Sequence, residues 1–231
     1  MLSIAGDIDV PATKALIEKY FIDIPRGNEV VRNYPQEPRQ TAEVRDVVYD
    51  NIQLPAVIYA YHIPPQGTPN YYALRMLTTL MTGGASARMN KALIDEQQLG
   101  LNVSSFPFST EDPGLILFFT IAKAGIAPEK VEAAMDAELD KLKQTPISAR
   151  ELQKIRNQAE SRFVSSNATM AGIAESLANY HVYYGDANLI NTELERFMQV
   201  TPADIQRVAN DYLTKANRVT LYFMPKSAQT N

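Results

Sequence analysis

The chain has 231 residues, is 45% hydrophobic and 21% charged, and carries a net charge of −4 with no Cys, no Trp and two His. The missing Cys exclude disulfides, thiolate zinc sites and a Cys nucleophile. Two His leave few ways to build a metal site, and mild acidity argues against a phosphate-binding surface, which needs clustered Lys and Arg.

The opening, Met-Leu-Ser-Ile-Ala-Gly-Asp, has no basic stretch and only a short apolar run, unlike a signal peptide. Residues 2–5 read as a short strand turned by Gly6-Asp7, and residues 11–21 as a helix with Ala12, Ala15, Leu16 and Tyr20 on one face. Residues 22–42 hold Pro25, Gly27, Pro35 and Pro38 with no clear period. They read as a linker longer than a compact domain usually tolerates, so a domain boundary is expected there. Residues 44–49 and 56–62 are rich in Val, Ile and Tyr and flank a short connection, the pattern of a hairpin. Residues 51–74 are free of charge and long enough to span a bilayer, but Pro55, Pro64, Pro65, Gly67 and Pro69 exclude a transmembrane helix.

Residues 70–81 are helical, Gly83-Gly84 stops them, and residues 86–96 open another helix. Residues 102–109 and 115–122 form a second hairpin around Glu111-Asp112-Pro113-Gly114. The chain then turns helical. Residues 128–144 place Val131, Met135, Leu139 and Leu142 at spacings of four and three. Ser148-Ala-Arg-Glu151 is a capping box. The stripe Leu152, Ile155, Ala159, Phe163, Met170, Ile173, Leu177 and His181 or Tyr184 behind it predicts one helix of about 35 residues, kinked near Gly172. Asp186 starts another helix, to about Met198. Thr201-Pro-Ala-Asp204 caps the last, to Leu213, and residues 219–224 form a closing strand ended by Pro225. Hairpins mixed with helix runs define α+β: a mainly antiparallel sheet with helices packed on one face.

The residues carry little chemistry. His62 and His181 sit in neither His-Glu-x-x-His nor His-x-x-Glu-His, and Glu175 and His181, six apart on a helix, do not share a face. Gly84-Ala-Ser86-Ala-Arg88 lacks the final Gly of a nucleophile elbow, and Ser86 reads instead as a helix cap after the Gly-Gly turn. Gly83-Gly84 before a helix belongs to no nucleotide-binding motif and reads as a cap or packing site. Glu111-Asp112 and Asp95-Glu96 read as solvated charges, and Tyr180, Tyr183 and Tyr184 as packing.

Several pieces together resemble the insulinase/pitrilysin family of zinc metallopeptidases. Ile-Ala-Gly6-Asp7-Ile-Asp with Leu-Ile-Glu-Lys-Tyr-Phe21 is similar to the family's Gly-Asp turn and helix. Leu80-Met-Thr-Gly-Gly-Ala-Ser-Ala-Arg88-Met89 resembles its Leu-x-x-Gly-x-x-Ser-x-Arg-Leu stretch, and Leu93 to Leu101 its helix-to-strand segment. Ser148-x-x-Glu151 and Val200-Thr-Pro-Ala-Asp204 match two of its helix starts. The resemblance covers nearly the whole chain, in order. It implies a LuxS/processing-peptidase-like metallohydrolase domain. Residues 1–25 would be the trailing strand-helix unit of a preceding peptidase domain, 26–42 a linker, 43–226 the C-terminal peptidase-family domain and 227–231 a tail.

The family's His-x-x-Glu-His, whose histidines hold zinc and whose Glu is the general base, is absent here. The resemblance therefore implies no catalytic or metal residue and no cofactor in this chain, with zinc in the parent protein's missing domain. The Arg and Tyr with which a working partner half holds substrate fall at Ile94 and Leu101, and neither can donate a hydrogen bond. The implied partners are a zinc-bearing N-terminal domain, a second family half or subunit, and a peptide substrate. Nucleic acid and a membrane span are not expected. The nearest likeness is to bacterial processing-type members, whether cytoplasmic or exported. Two alternatives stand beside this: a non-enzymatic scaffold or binding module of the same family, as in mitochondrial respiratory-complex core subunits, and an independent hydrolase using Ser86 or His181.

Overall fold

The computed structural model describes residues 1–28, 30–31, 33–35 and 37–229. A helix, α1 (Val10–Phe21), comes first, capped by the Asp9 carboxylate, which accepts from the Ala12 N–H at 2.8 Å. The described residues of 25–42 form no helix or strand. Then follow β1 (Val44–Asp50), β2 (Ala56–Ile63), α2 (Pro69–Thr82), a short turn α3 (Arg88–Asn90) that widens into π-helix over Lys91–Glu96, and the strands β3 (Gly100–Phe108) and β4 (Gly114–Ala122). Five helices, α4 (Pro128–Gln144), α5 (Ala149–Ser166), α6 (Met170–Tyr184), α7 (Leu189–Gln199) and α8 (Pro202–Tyr212), lead to β5 (Arg218–Pro225).

The sheet order is β1-β5-β2-β4-β3, parallel between β1 and β5 and antiparallel elsewhere. The hairpin of β3 and β4 forms as its turn residues dictate. The one expected between β1 and β2 does not, because β5 lies between them. The reason is burial. β2 is buried or half-buried along its whole length and needs a strand on each side, whereas β1 is exposed at every residue but Tyr49 and serves as an edge. Residues 2–5 form no strand. None of the five strands pairs with them, and a β-prone segment without a ladder partner has no hydrogen bonds to hold it extended.

Alternation decides which face of the sheet is core. Val57, Tyr59, Tyr61 and Ile63 of β2 pair with Thr120, Phe118, Ile116 and Gly114 of β4, all buried. α2, α4 and α8 cover this face, contributing Leu74, Leu77, Met81, Val131, Met135, Leu139, Ile205 and Val208 to one core.

The expected 35-residue helix is two helices. The break falls at residues 167–169, before Gly172: Asn167 ends α5, and the Thr169 hydroxyl starts α6 by accepting from the Gly172 N–H at 3.1 Å. α6 ends on Gly185 in the left-handed region (φ 72°), a conformation glycine adopts at no steric cost. Ser86 caps nothing. The helix after Gly83-Gly84 starts at Arg88, with Ala87 at the cap position and no side-chain bond. The helix expected from Asp186 begins at Leu189, and Asp186 instead accepts from the Asn188 N–H at 2.9 Å.

Candidate binding surface

Two surfaces follow from this architecture. The first is the sheet face opposite the core. There the pairing aligns Ile58 with Phe119 and Leu221, Ala60 with Leu117 and Val219, and His62 with Leu115. Val44 and Val48 of β1 and Phe106 and Phe108 of β3 share it. Apart from Ala56 at its rim, these side chains are half-buried or exposed, Phe106 at 49% and Phe108 at 56%. It is an open, largely aliphatic and aromatic face, interrupted by Asp46 opposite Leu221 and Ser104 opposite Phe119. The sequence held the signal, since Leu115–Ala122 is apolar at every position but Thr120 and a strand with one wet face alternates instead.

The second is a groove between the edge strand β3 and the helices. Its floor is one face of α2, where Arg75, Thr78, Thr79 and Thr82 recur at i, i+3, i+4 and i+7. Ser104, Ser105, Phe106 and Pro107 of β3 form one wall and Arg162 of α5 the other, around a cavity of about 290 Å³. A second cavity of about 450 Å³ continues it along α6, sharing Arg75 and Pro107 and adding Glu175, Tyr180 and Glu193. Glu193 is engaged: Tyr180 and Tyr72 both donate to its carboxylate, and Arg196 donates to the Tyr72 hydroxyl at 3.3 Å. Burial raises both Tyr180 and Tyr72 above the ordinary phenol range, so they remain donors.

Beneath β5 lies a charged lock. Arg218, 2% exposed, donates to Glu43 at 2.7 Å and to Asp136 on α4 at 2.5 Å. Arg45 makes a two-pronged pair with Glu132 at 2.7 and 2.6 Å, and Tyr222 also donates to Glu132. The Arg45 hydrogen bonds hold Glu132 below the usual carboxylate range. Burial pushes Glu43 the other way, but donation from Thr220 and Arg218 outweighs it. These groups join β1, β5 and α4, so they read as structure rather than site.

The residues singled out in the sequence lie apart from any catalytic arrangement. His62 is half-buried on β2, its Nε2 3.5 Å from the Glu37 carboxylate in the segment before β1, while His181 is exposed in the last turn of α6. Among the described residues no group of three or more His, Asp or Glu converges to hold a metal ion, so the donor set does not fit zinc. Ile94 packs against the core from the π-helical turn. Leu101, 53% exposed, stands at the β-bulge between Gly100 and Asn102. No helix among the described residues is long and apolar enough to cross a membrane.

An α+β domain with one face of its sheet covered by helices, and no metal-holding group of His, Asp or Glu among its described residues, is the class these features define. The family model described as "Peptidase M16 inactive domain" matches residues 1–159, and the chain belongs to that family. A curated relative, the zinc protease PqqE of Helicobacter pylori, is 25% identical over 225 residues, covering 96% of this chain and 50% of that protein. The crystal structure of a protease from Helicobacter pylori superposes with a TM-score of 0.88 at 25% identity, over 96% of this chain and 54% of that one. The inactive peptidase domain of a Bordetella parapertussis protein named as a zinc protease superposes with a TM-score of 0.69 at 25% identity, over 80% of this chain and 97% of that one. The chain thus spans about half the length of the Helicobacter relative.

Proposed function

We propose that this chain is the non-catalytic domain of an insulinase-like zinc metallopeptidase. It walls part of a peptide chamber with its open sheet face and docks, through residues 1–25, on a neighbouring domain that carries zinc in His-x-x-Glu-His. A second family half or subunit closes the chamber from the other side. Apolar surface that the chain's own core leaves unused carries this reading. No residue of α1 is buried, and Leu16, Tyr20, Phe21, Ile22 and Ile24 are all at least half exposed. The open sheet face is the second such surface. Ordered apolar patches of this extent mark contact with another body. The Helicobacter relative, named a zinc protease and twice as long, supplies a precedent for the missing partner.

The test mixes this chain with the polypeptide encoded ahead of it. The chain alone is expected to hold well under one zinc per molecule and to cleave no peptide. Cleavage is expected on adding the companion. Leu16→Asp with Tyr20→Asp is expected to weaken association without lowering the melting temperature. About one tightly bound zinc per chain, with activity lost on chelation, would overturn the reading. A companion lacking His-x-x-Glu-His would replace it with the scaffold alternative.

A further inference from the structure

Where the groove runs between β3, α2 and α5 it is lined by two guanidinium groups and no acid, while Glu175 and Glu193 line the adjoining cavity along α6, Glu193 already accepting from Tyr72 and Tyr180. Among the described residues neither Arg75 nor Arg162 has a carboxylate within 4.0 Å, whereas Arg45, Arg88, Arg207 and Arg218 each have an acidic partner and Arg156 donates to a backbone carbonyl. Among the described residues Arg162 makes a single bond, donating to the Thr79 hydroxyl at 3.2 Å. Burial of its head group and the neighbouring Arg75 charge both press it below its ordinary value.

The hydroxyl protons of the floor are already committed. Thr78 and Thr79 donate to the Arg75 carbonyl, Thr82 to the Thr78 carbonyl, and Ser104 to Asn102. Ser105 therefore donates to Thr82, 2.6 Å away. What remains uncommitted in the cavity is a fan of guanidinium N–H groups. Such a site is complementary to an acceptor-only anion, and the planar fork of Arg matches a carboxylate in particular. The cavity runs beside the outermost strand of the sheet, so an extended chain laid along β3 would bring its end to the arginines.

We propose that Arg75 and Arg162 form a carboxylate-binding subsite for an extended peptide, with Thr79 and Ser105 fixing its floor. The subsite does not depend on the chamber reading, because its assay needs neither zinc nor cleavage. Either can fail while the other stands.

Fluorescence anisotropy with a short Ala-rich peptide carrying an uncharged N-terminal fluorophore tests it. The free-acid peptide is expected to bind about tenfold more tightly than its C-terminal amide at low salt. Arg75→Gln and Arg162→Gln are each expected to remove most of that preference. Arg162→Lys, which keeps the charge and loses the fork, is expected to weaken it. Lys130→Gln removes an equal charge from the exposed side of α4 and is expected to preserve it. Thermal melts confirm that each variant is folded. An amidated peptide with one internal Glu reports which carboxylate is read: binding like the free acid admits side chains, and binding like the amide restricts the subsite to the chain terminus. Equal binding of acid and amide overturns the proposal. So does loss of the preference in Lys130→Gln, or displacement of the peptide by inorganic phosphate far more readily than by acetate.

Discussion

Arg218 is the least exposed charge in the domain, and three carboxylates stand around it: Glu43 and Asp136 bonded, Glu132 at 3.6 Å. Its guanidinium also lies 4.2 Å over the centre of the Tyr59 ring. A buried ion cluster of this kind contributes little against an apolar replacement of equal shape, yet breaking it strands charge in a medium that cannot solvate it. Arg218→Gln is therefore expected to cost about 3–5 kcal/mol in urea unfolding, because Glu43 and Asp136 lose their counter-charge while still partly buried. A loss below about 1 kcal/mol would show that water reaches the cluster. Glu151 offers a milder case with a measurable pH signature. Hydrogen bonds from Arg88 at 2.7 and 3.0 Å, backed by the Ser148 cap, hold its carboxyl down to about 2. Its folded value lies below its unfolded one, so its stabilisation is present above pH of about 4.5 and fades as the pH falls toward 2. Discounted for partial exposure, Arg88→Gln is expected to cost about 1 kcal/mol at neutral pH and correspondingly less near pH 2. Equal costs at the two pH values would assign the effect to packing.

At the scale of elements, β5 is the piece whose position matters most. It pairs on both sides, with β1 in parallel and β2 in antiparallel register, so a proline inside it removes ladder bonds that no neighbour can restore. Leu221→Pro is expected to unfold the domain or cost at least about 3 kcal/mol, although the side chain it replaces faces the open side of the sheet. A folded Leu221→Pro protein with a near-native melt would mean that β1 is dispensable. The same strand explains what a linear reading can and cannot deliver. α4, the Ser148–Glu151 capping box, the Thr201 cap and the β3–β4 hairpin depend on residues within a few positions of one another; the first three were legible to the residue and the hairpin strands to within two residues at their ends. The partner of β1 depends on a strand some 170 residues later, and no local pattern names it. The break between α5 and α6 was masked because the apolar stripe continues through it, while the Asn167 and Thr169 side chains that end one helix and start the next are short-range signals that the stripe outvoted. The open sheet face and the Arg75 stripe were likewise written in the sequence. No chemical motif marks them, because apolar strands and arginines without an acidic partner carry no reacting group.

For the whole molecule, the decisive question is whether residues 1–25 belong to this core or to another. The core cluster begins at Val57 and closes at Leu213, with nothing from the first helix in it. α1 is held by its own cap and backbone bonds, and a lone helix of 12 residues is marginal in water unless its apolar stripe packs against something. Removing residues 1–25 therefore exposes no core side chain and deletes no strand, so it is expected to move the melting temperature by no more than about 2 °C, the shift that a loss of at most about 1 kcal/mol produces in a chain of this size. The same truncation is expected to abolish association with the proposed zinc-bearing companion, because Leu16, Tyr20 and Phe21 leave with it. Differential scanning calorimetry and a binding titration on one truncated protein separate the outcomes. A large fall in melting temperature would make α1 part of this domain and remove the ground for a boundary after it. An unchanged melt with undiminished binding would place the docking surface on the open sheet face instead, where Phe106 and Phe108 would be the next residues to change.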